Sequence, residues 1–168
     1  MKMKSLLAAA SALLVPALLI PSVDAVAQDT KSVAGTWQMV SNITTDPAGK
    51  KMKPFGDNPR GTMILTADGK YSIVVAKPDL PKIAANSRDK GTAEENKAIV
   101  GGSIGHAGTY KLSEADKALV FSIENSTYAN WNGTTQKRVY TLKDDTLSYL
   151  VPAASTGGTS EVVWKRVK

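Results

Sequence analysis

The stretch Gly35-Thr36-Trp37-Gln38-Met39-Val40-Ser41 decides the fold of this chain. Glycine permits a sharp backbone bend, because it lacks the Cβ atom that forbids most conformations with positive φ. A tryptophan two residues later can close the end of a barrel with its indole, provided that the indole N–H finds an acceptor. A Gly-x-Trp at the start of a first strand is therefore typical of small closed β-barrels, and it predicts which end is closed.

Apolar and polar residues alternate with a period of two through most of the chain that follows. Such alternation predicts strands with one buried and one solvated face. In the first strand it places Trp37, Met39, Ser41 and Ile43 on one face. Between the second and third predicted strands, Asp68-Gly69 is a two-residue sequence typical of a β-hairpin turn. We expect an eight-stranded antiparallel up-and-down barrel, because closure removes exposed sheet edges. The predicted strands cover residues 37–43, 61–67, 71–76, 108–112, 119–124, 136–143, 147–151 and 161–167.

One long insertion, over residues 77–107, interrupts the strands. Thr92 and Glu95 have the spacing of a capping box, which predicts a short helix over residues 92–100 that ends at Gly101-Gly102. Insertions of this length between strands often have a functional role. We expect the helix to lie across the open end of the barrel as a lid; packing on the outer wall is the alternative.

Residues 1–27 have the composition of a cleavable secretion signal. Lys2 and Lys4 precede an apolar segment over residues 6–20. Ala25-Val26-Ala27 then forms a small-x-small cleavage site, with Val23-Asp24-Ala25 as the alternative. The segment is shorter than the roughly 20 residues that span a bilayer, so a stable membrane anchor is not expected. We therefore expect a bacterial protein that is periplasmic or secreted, with residues 28–168 forming one domain.

Composition narrows the classes of partner. The formal net charge of +6 becomes +5 when Lys2, Lys4 and Asp24 are removed. This charge is spread along the chain, and the densest basic runs, at residues 50–53 and 165–168, are short and lack interleaved aromatic residues. A nucleic-acid partner is therefore not expected. The absence of cysteine excludes disulfides and thiolate metal sites, and the single histidine, His106, has no second ligand beside it. Neither a metal nor a cofactor is predicted.

Strand parity identifies a charged residue that should point into the barrel. Over residues 136–143, Lys137 and Lys143 share the face that prefers water, so Gln136, Arg138 and Tyr140 should face inward. A buried guanidinium needs a partner, because an isolated buried charge is costly. That partner is a ligand carboxylate or enolate oxygen, an internal acid such as Glu124, or an indole that the arginine caps.

Several short motifs identify a family when they are taken in order. They are Gly35-Thr36-Trp37-Gln38-Met39-Val40-Ser41, Pro54-Phe55-Gly56-Asp57-Asn58-Pro59-Arg60-Gly61, Thr66-Ala67-Asp68-Gly69-Lys70-Tyr71-Ser72, Gly108-Thr109-Tyr110, Asn130-Trp131-Asn132-Gly133 with Gln136 and Arg138, and Val163-Trp164-Lys165-Arg166-Val167. With these motifs the chain resembles the bacterial and fungal lipocalin-like domain family, a branch of the calycin-type barrels. The resemblance implies a barrel that holds a small hydrophobic or amphipathic molecule, and a contact in which Arg166 packs across Trp37.

Two classes of function follow from these residues. The favoured one is a non-catalytic binding protein; the alternative is an isomerase, cyclase or dehydratase that acts on an enolisable molecule through Arg138, Tyr110 or His106. Convergence of those three residues on one pocket would favour the enzyme.

Trp131 lies in an Asn- and Gly-rich stretch. Its side chain is expected either to form a stacking platform at the barrel mouth or to plug a turn. The candidate ligand-binding residues are Arg138, Gln136, Tyr110, Trp131, Tyr140 and Tyr71.

Overall fold

Nine β-strands and one α-helix make up residues 32–168, which are the residues that the computed structural model describes. The signal predicted for residues 1–27 lies outside them. The elements are β1 (Gly35–Thr45), β2 (Lys51–Met52), β3 (Arg60–Leu65), β4 (Lys70–Ala76), α1 (Ala93–Gly102), β5 (Ser103–Ser113), β6 (Ala118–Ser126), β7 (Thr135–Lys143), β8 (Thr146–Val151) and β9 (Thr159–Arg166), with short 3₁₀ turns at Arg88–Lys90 and Ala129–Trp131.

The sheet closes on itself. Strands β3 to β8 each pair antiparallel with the next strand along the chain, and β1 pairs with both β3 and β9. The two-residue strand β2 only extends the far end of β1. The predicted eight-stranded antiparallel up-and-down barrel is thus confirmed, and its alternating inner face forms one continuous core.

The closed end is built as the Gly-x-Trp motif predicts. The Trp37 indole is fully buried and donates its N–H to the Val33 carbonyl at 3.0 Å. The Arg166 guanidinium lies 4.1 Å above the indole ring and also donates to the carbonyl of Ser32. Gly35 has a φ of 139°, and a Cβ there would meet the Arg166 Nη1 atom at 2.8 Å. This contact, from here on the latch, joins the first and last strands.

A β-bulge corrects the predicted face of β1. The pairing between β1 and β9 shifts its register between Met39 and Ser41. Because an extra residue in a strand reverses the side-chain alternation beyond it, Asn42 and Thr44 are buried, while Ser41 and Ile43 are only half-buried. The prediction that Trp37, Met39, Ser41 and Ile43 share one face was therefore wrong beyond Met39.

The insertion is shorter than predicted, because β5 begins at Ser103 and not at Gly108. Residues 103–107 pair in full register with β4, from Ala76 opposite Ser103 to Ser72 opposite Ala107. Cross-strand pairing thus overrides the weak strand preference of a Gly-His segment. His106 consequently belongs to the barrel wall, and the insertion covers residues 77–102.

Helix α1 starts at its predicted capping box. Thr92 Oγ1 accepts from the Glu95 N–H at 3.2 Å, and the Glu95 carboxylate accepts from the Thr92 N–H at 2.8 Å. The helix follows β4 at the end of the barrel opposite Trp37, and most of its residues are exposed. None of the helices in residues 32–168 has the length and apolar character needed to cross a membrane.

Candidate ligand-binding site

A cavity of about 50 Å³ lies inside the barrel, between the core and the open end. It has room for only a few water-sized groups. Its walls are mostly apolar and aromatic, and none of the described residues that line it is an aspartate or a glutamate. The polar side chains that reach it are those of Asn42, Thr44, His106, Trp131, Arg138, Tyr149, Ser155, Thr156, Ser160 and Trp164.

Arg138 is the charged residue of the cavity. Its side chain comes from the inner face of β7, as strand parity predicts, and only 2% of the residue is exposed. Its Nε and Nη2 atoms donate to Gln136 Oε1 at 3.3 and 2.9 Å, and its Nη1 atom donates to the Tyr149 hydroxyl at 3.3 Å. The guanidinium also lies 4.7 Å from the Phe121 ring centroid. These contacts solvate the cation but do not neutralise it.

No carboxylate among the described residues forms an ion pair with Arg138. Glu124, one of the predicted alternatives, is exposed on β6. A guanidinium has five N–H donors, and three of them are used by the bonds to Gln136 and Tyr149. The arginine therefore retains both a net charge and hydrogen-bonding capacity beside the cavity.

His106 is a neutral imidazole in the same wall. It is 6% exposed, and its Nδ1 atom lies 3.0 Å from the Tyr71 hydroxyl. Burial, reinforced by the positive charge of Arg138, lowers the pKa of His106 from 6.5 to about 3. Burial also raises the pKa of Tyr71, so the pair shares one hydrogen bond between two uncharged groups.

Trp131 closes the cavity from the side of the mouth. It ends the 3₁₀ turn at Ala129–Trp131, and its ring meets His106 edge-to-face at 5.5 Å and Tyr128 at 5.7 Å. The guanidinium of Arg138 lies 5.9 Å from the same ring. The half-buried indole therefore lies against both His106 and Arg138, at the predicted position near the mouth.

A polar cluster on β1 and β9 was missed by the sequence analysis. Thr44 Oγ1 and Ser160 Oγ are 2.6 Å apart, and Asn42 lies beside Thr44 on the same inner face. The signal for this cluster is the β1 bulge, and nothing local marks it in the sequence. Trp164 also lines the cavity, and its buried indole N–H makes no hydrogen bond of normal geometry to a described residue. Burial raises the pKa of the neighbouring Tyr149, and the Trp164 N–H acts in the opposite direction.

The structure places the predicted site residues at three depths. Arg138 and Trp131 line the cavity directly. Gln136 and Tyr71 stand behind it, bonded to Arg138 and His106. Tyr110 lies toward the closed end, where its hydroxyl donates to the Thr66 carbonyl at 2.8 Å, and half-buried Tyr140 lies outside the cavity lining. His106 and Arg138 therefore converge on one cavity, and Tyr110 does not join them.

One family of known proteins matches nearly all of the described chain. A family model described as a lipocalin-like domain matches residues 34–167, and the chain belongs to this family. The barrel of the family indicates ligand binding in its interior. Among solved structures, a redesigned β-barrel matches with 14% identity and a TM-score of 0.43, over 85% of this chain and 96% of its own. A mutant of the fluorescent protein UnaG matches with 12% identity and a TM-score of 0.39, over 82% of this chain and 97% of its own. No protein of curated function matches the sequence.

Proposed function

We propose that this protein binds a small organic acid inside its barrel, with the carboxylate at Arg138 and the apolar body against the aromatic wall. The observation that carries the proposal is a buried arginine that lines a cavity and has no carboxylate partner among the described residues. A buried cation of this kind is stabilised when an anion with bidentate geometry completes it.

The remaining lining supports a ligand with an acidic head and an apolar body. Arg138 and Asn42 supply hydrogen-bond donors, whereas the described lining contains no acidic side chain that would repel an anion. The other walls are supplied by residues such as Phe55, Ile73 and Val162. Donors grouped in a largely apolar pocket are typical of sites for amphipathic molecules.

Calorimetric titration with octanoate and its methyl ester tests the proposal. Wild-type protein should prefer the acid, and Arg138→Met should weaken octanoate binding by roughly 2–5 kcal/mol, because the ester and the variant each remove one member of the charge pair. The matched control is Arg60→Met, which removes an exposed arginine outside the cavity lining and should leave the affinity unchanged. Equal affinity of the wild type for acid and ester would remove Arg138 from the site.

Export is part of the proposal and is supported by the signal-like composition of residues 1–27. Cell fractionation followed by intact-mass measurement tests it. The expected species begins at Gln28 and is recovered from the periplasm or the medium. A cytoplasmic protein that retains Met1 to Ala27 would contradict export and leave the binding proposal intact.

Catalysis on an enolisable acid is the second candidate, because His106 and Arg138 meet at one cavity. A guanidinium there stabilises a developing enolate oxygen, and an imidazole nearby moves a proton. The low pKa of His106 makes it a weak base, which favours binding over turnover. Deuterium incorporation next to the carbonyl of a bound 2-oxo acid, lost in His106→Gln, would support catalysis; its absence in wild-type protein would exclude this reaction.

A further inference from the structure

A second concavity, of about 380 Å³, lies at the open end of the barrel beside helix α1. Ile99 and Val100 of the last turn of α1 form one side of this groove, and Phe55 and Tyr128 contribute aromatic surface to it. None of the described residues that line the groove carries a charge. It is therefore an uncharged surface next to the barrel mouth.

The groove adjoins the barrel cavity. Phe55, Ile104, Ser155 and Thr156 line both spaces, so these four residues form the boundary between them. A molecule that leaves the cavity past this boundary enters the groove. The polar lining around Arg138 and the uncharged groove thus lie on the two sides of one boundary.

The volumes of the two spaces assign different parts of a ligand to them. The cavity of about 50 Å³ admits a head group of a few atoms, whereas small-molecule sites usually measure about 300–1,000 Å³. The groove, at about 380 Å³, reaches that range. A ligand larger than a very short acid must therefore extend through the mouth.

The exposed apolar side chains of α1 also favour a ligand that extends out of the cavity. Val100 is 77% exposed, the highest value among the large apolar side chains that stand out from the described surface, and Ile99 beside it is only half-buried. These apolar side chains do not pack in the barrel core. An apolar ligand tail that lies along α1 would bury them, and that burial is favourable.

We propose that the groove is a subsite for the apolar tail of the ligand whose carboxylate binds Arg138. The ligand class is then an elongated monocarboxylic amphiphile, such as a medium-chain fatty acid, with its head inside the barrel and its tail along α1. This inference rests on the function proposed above and adds the length and the direction of the ligand.

Titration of a series of straight-chain acids, from butanoate to decanoate, tests the subsite. In wild-type protein, each methylene that enters the groove should tighten the Kd by about fourfold. Val100→Ser should weaken decanoate binding by about fivefold and leave butanoate unchanged. Val40→Ser is the matched control: Val40 is 52% exposed on β1, away from both spaces, and its replacement should change neither affinity.

The outcomes separate this inference from the proposed function. If the acids bind in an Arg138-dependent way but with the same affinity at every length, the head site stands and the tail subsite is overturned. The subsite is also overturned if Val100→Ser and Val40→Ser bind decanoate equally well. If butanoate and decanoate bind Arg138→Met as tightly as the wild type, the head site itself is wrong. If no acid binds at all, both proposals fall.

Discussion

A single positive charge sets the electrostatics of the barrel interior. The guanidinium of Arg138 lowers the pKa of His106 further than burial alone, and it opposes the burial-raised pKa values of Tyr71 and Tyr149. Charges act over longer distances in a protein interior than at its surface, because neither water nor salt screens them well there. An anion bound at Arg138 would therefore change the pKa values of His106, Tyr71 and Tyr149.

His106 should make stability depend on pH. Its pKa is about 3 in the folded state and about 6.5 when unfolded, so the unfolded chain binds the proton first as pH falls. Stability is then lost progressively from about pH 6.5 toward pH 3, by about 2 kcal/mol between pH 7 and pH 5. Urea denaturation at several pH values measures this loss.

His106→Gln provides the control, because glutamine keeps a hydrogen-bonding group opposite Tyr71 without titrating. The free energy of unfolding of this variant should stay nearly constant between pH 7 and pH 5. Identical pH dependence in the variant and the wild type would show that His106 does not remain neutral in the folded protein.

Two register shifts interrupt the strand pairing close to the cavity. The bulge in β1 turns Asn42 and Thr44 inward, and a register shift between β5 and β6 lies at Ala107 and Gly108, directly after His106. Bulges bend strands and redirect side chains, and they are frequent beside binding sites. Only the bulge in β1 changes which side chains of its strand face the barrel, because His106, Gly108 and Tyr110 keep an unbroken alternation along β5.

Gly108→Ala should destabilise the protein by more than about 1 kcal/mol. A Cβ at this position would lie 2.1 Å from the Ser122 carbonyl oxygen of the neighbouring strand, so the backbone would have to shift. Gly101→Ala is the control: a Cβ there meets nothing within 4 Å, and alanine favours a helix over glycine by about 1 kcal/mol. Thermal denaturation of both variants compares them; equal melting temperatures would mean that the strand accommodates the side chain.

Closure of the barrel is the property of the whole molecule on which the cavity depends. The latch between Trp37 and Arg166 joins β1 to β9, and the long register between these two strands completes the ring. The chain contains no cysteine, so no disulfide assists this closure. Backbone hydrogen bonds, packing, the latch and the hydrogen bond between Thr44 and Ser160 hold the two ends of the sheet together.

Trp37→Ala should therefore lower the free energy of unfolding by roughly 3–5 kcal/mol, as expected for the truncation of a fully buried aromatic side chain. Val40→Ala, at an exposed position of the same strand, should change it by less than about 0.5 kcal/mol. Urea melts of both variants measure the difference. A loss below about 1 kcal/mol in Trp37→Ala would show that the indole does not stabilise closure.

The sequence by itself determined the features that depend on neighbours along the chain. Alternation and tight turns predicted the closed sheet, the Gly-x-Trp motif predicted the closed end, and the spacing of Thr92 and Glu95 predicted the start of α1. Parity within β7 also placed Gln136 and Arg138 inside, because β7 pairs with its neighbours without a register shift. Their role in binding stays a prediction.

Only the tertiary structure decided which side chains meet inside the barrel. His106 meets Tyr71 across 35 residues of chain, and Thr44 meets Ser160 across 116, so no local pattern encodes either contact. The small cavity and the groove beside α1 likewise follow from side chains of many elements that pack together. The physical reason is that local alternation sets the direction of a side chain only until a bulge reverses it, and bulges arise from pairing between distant strands.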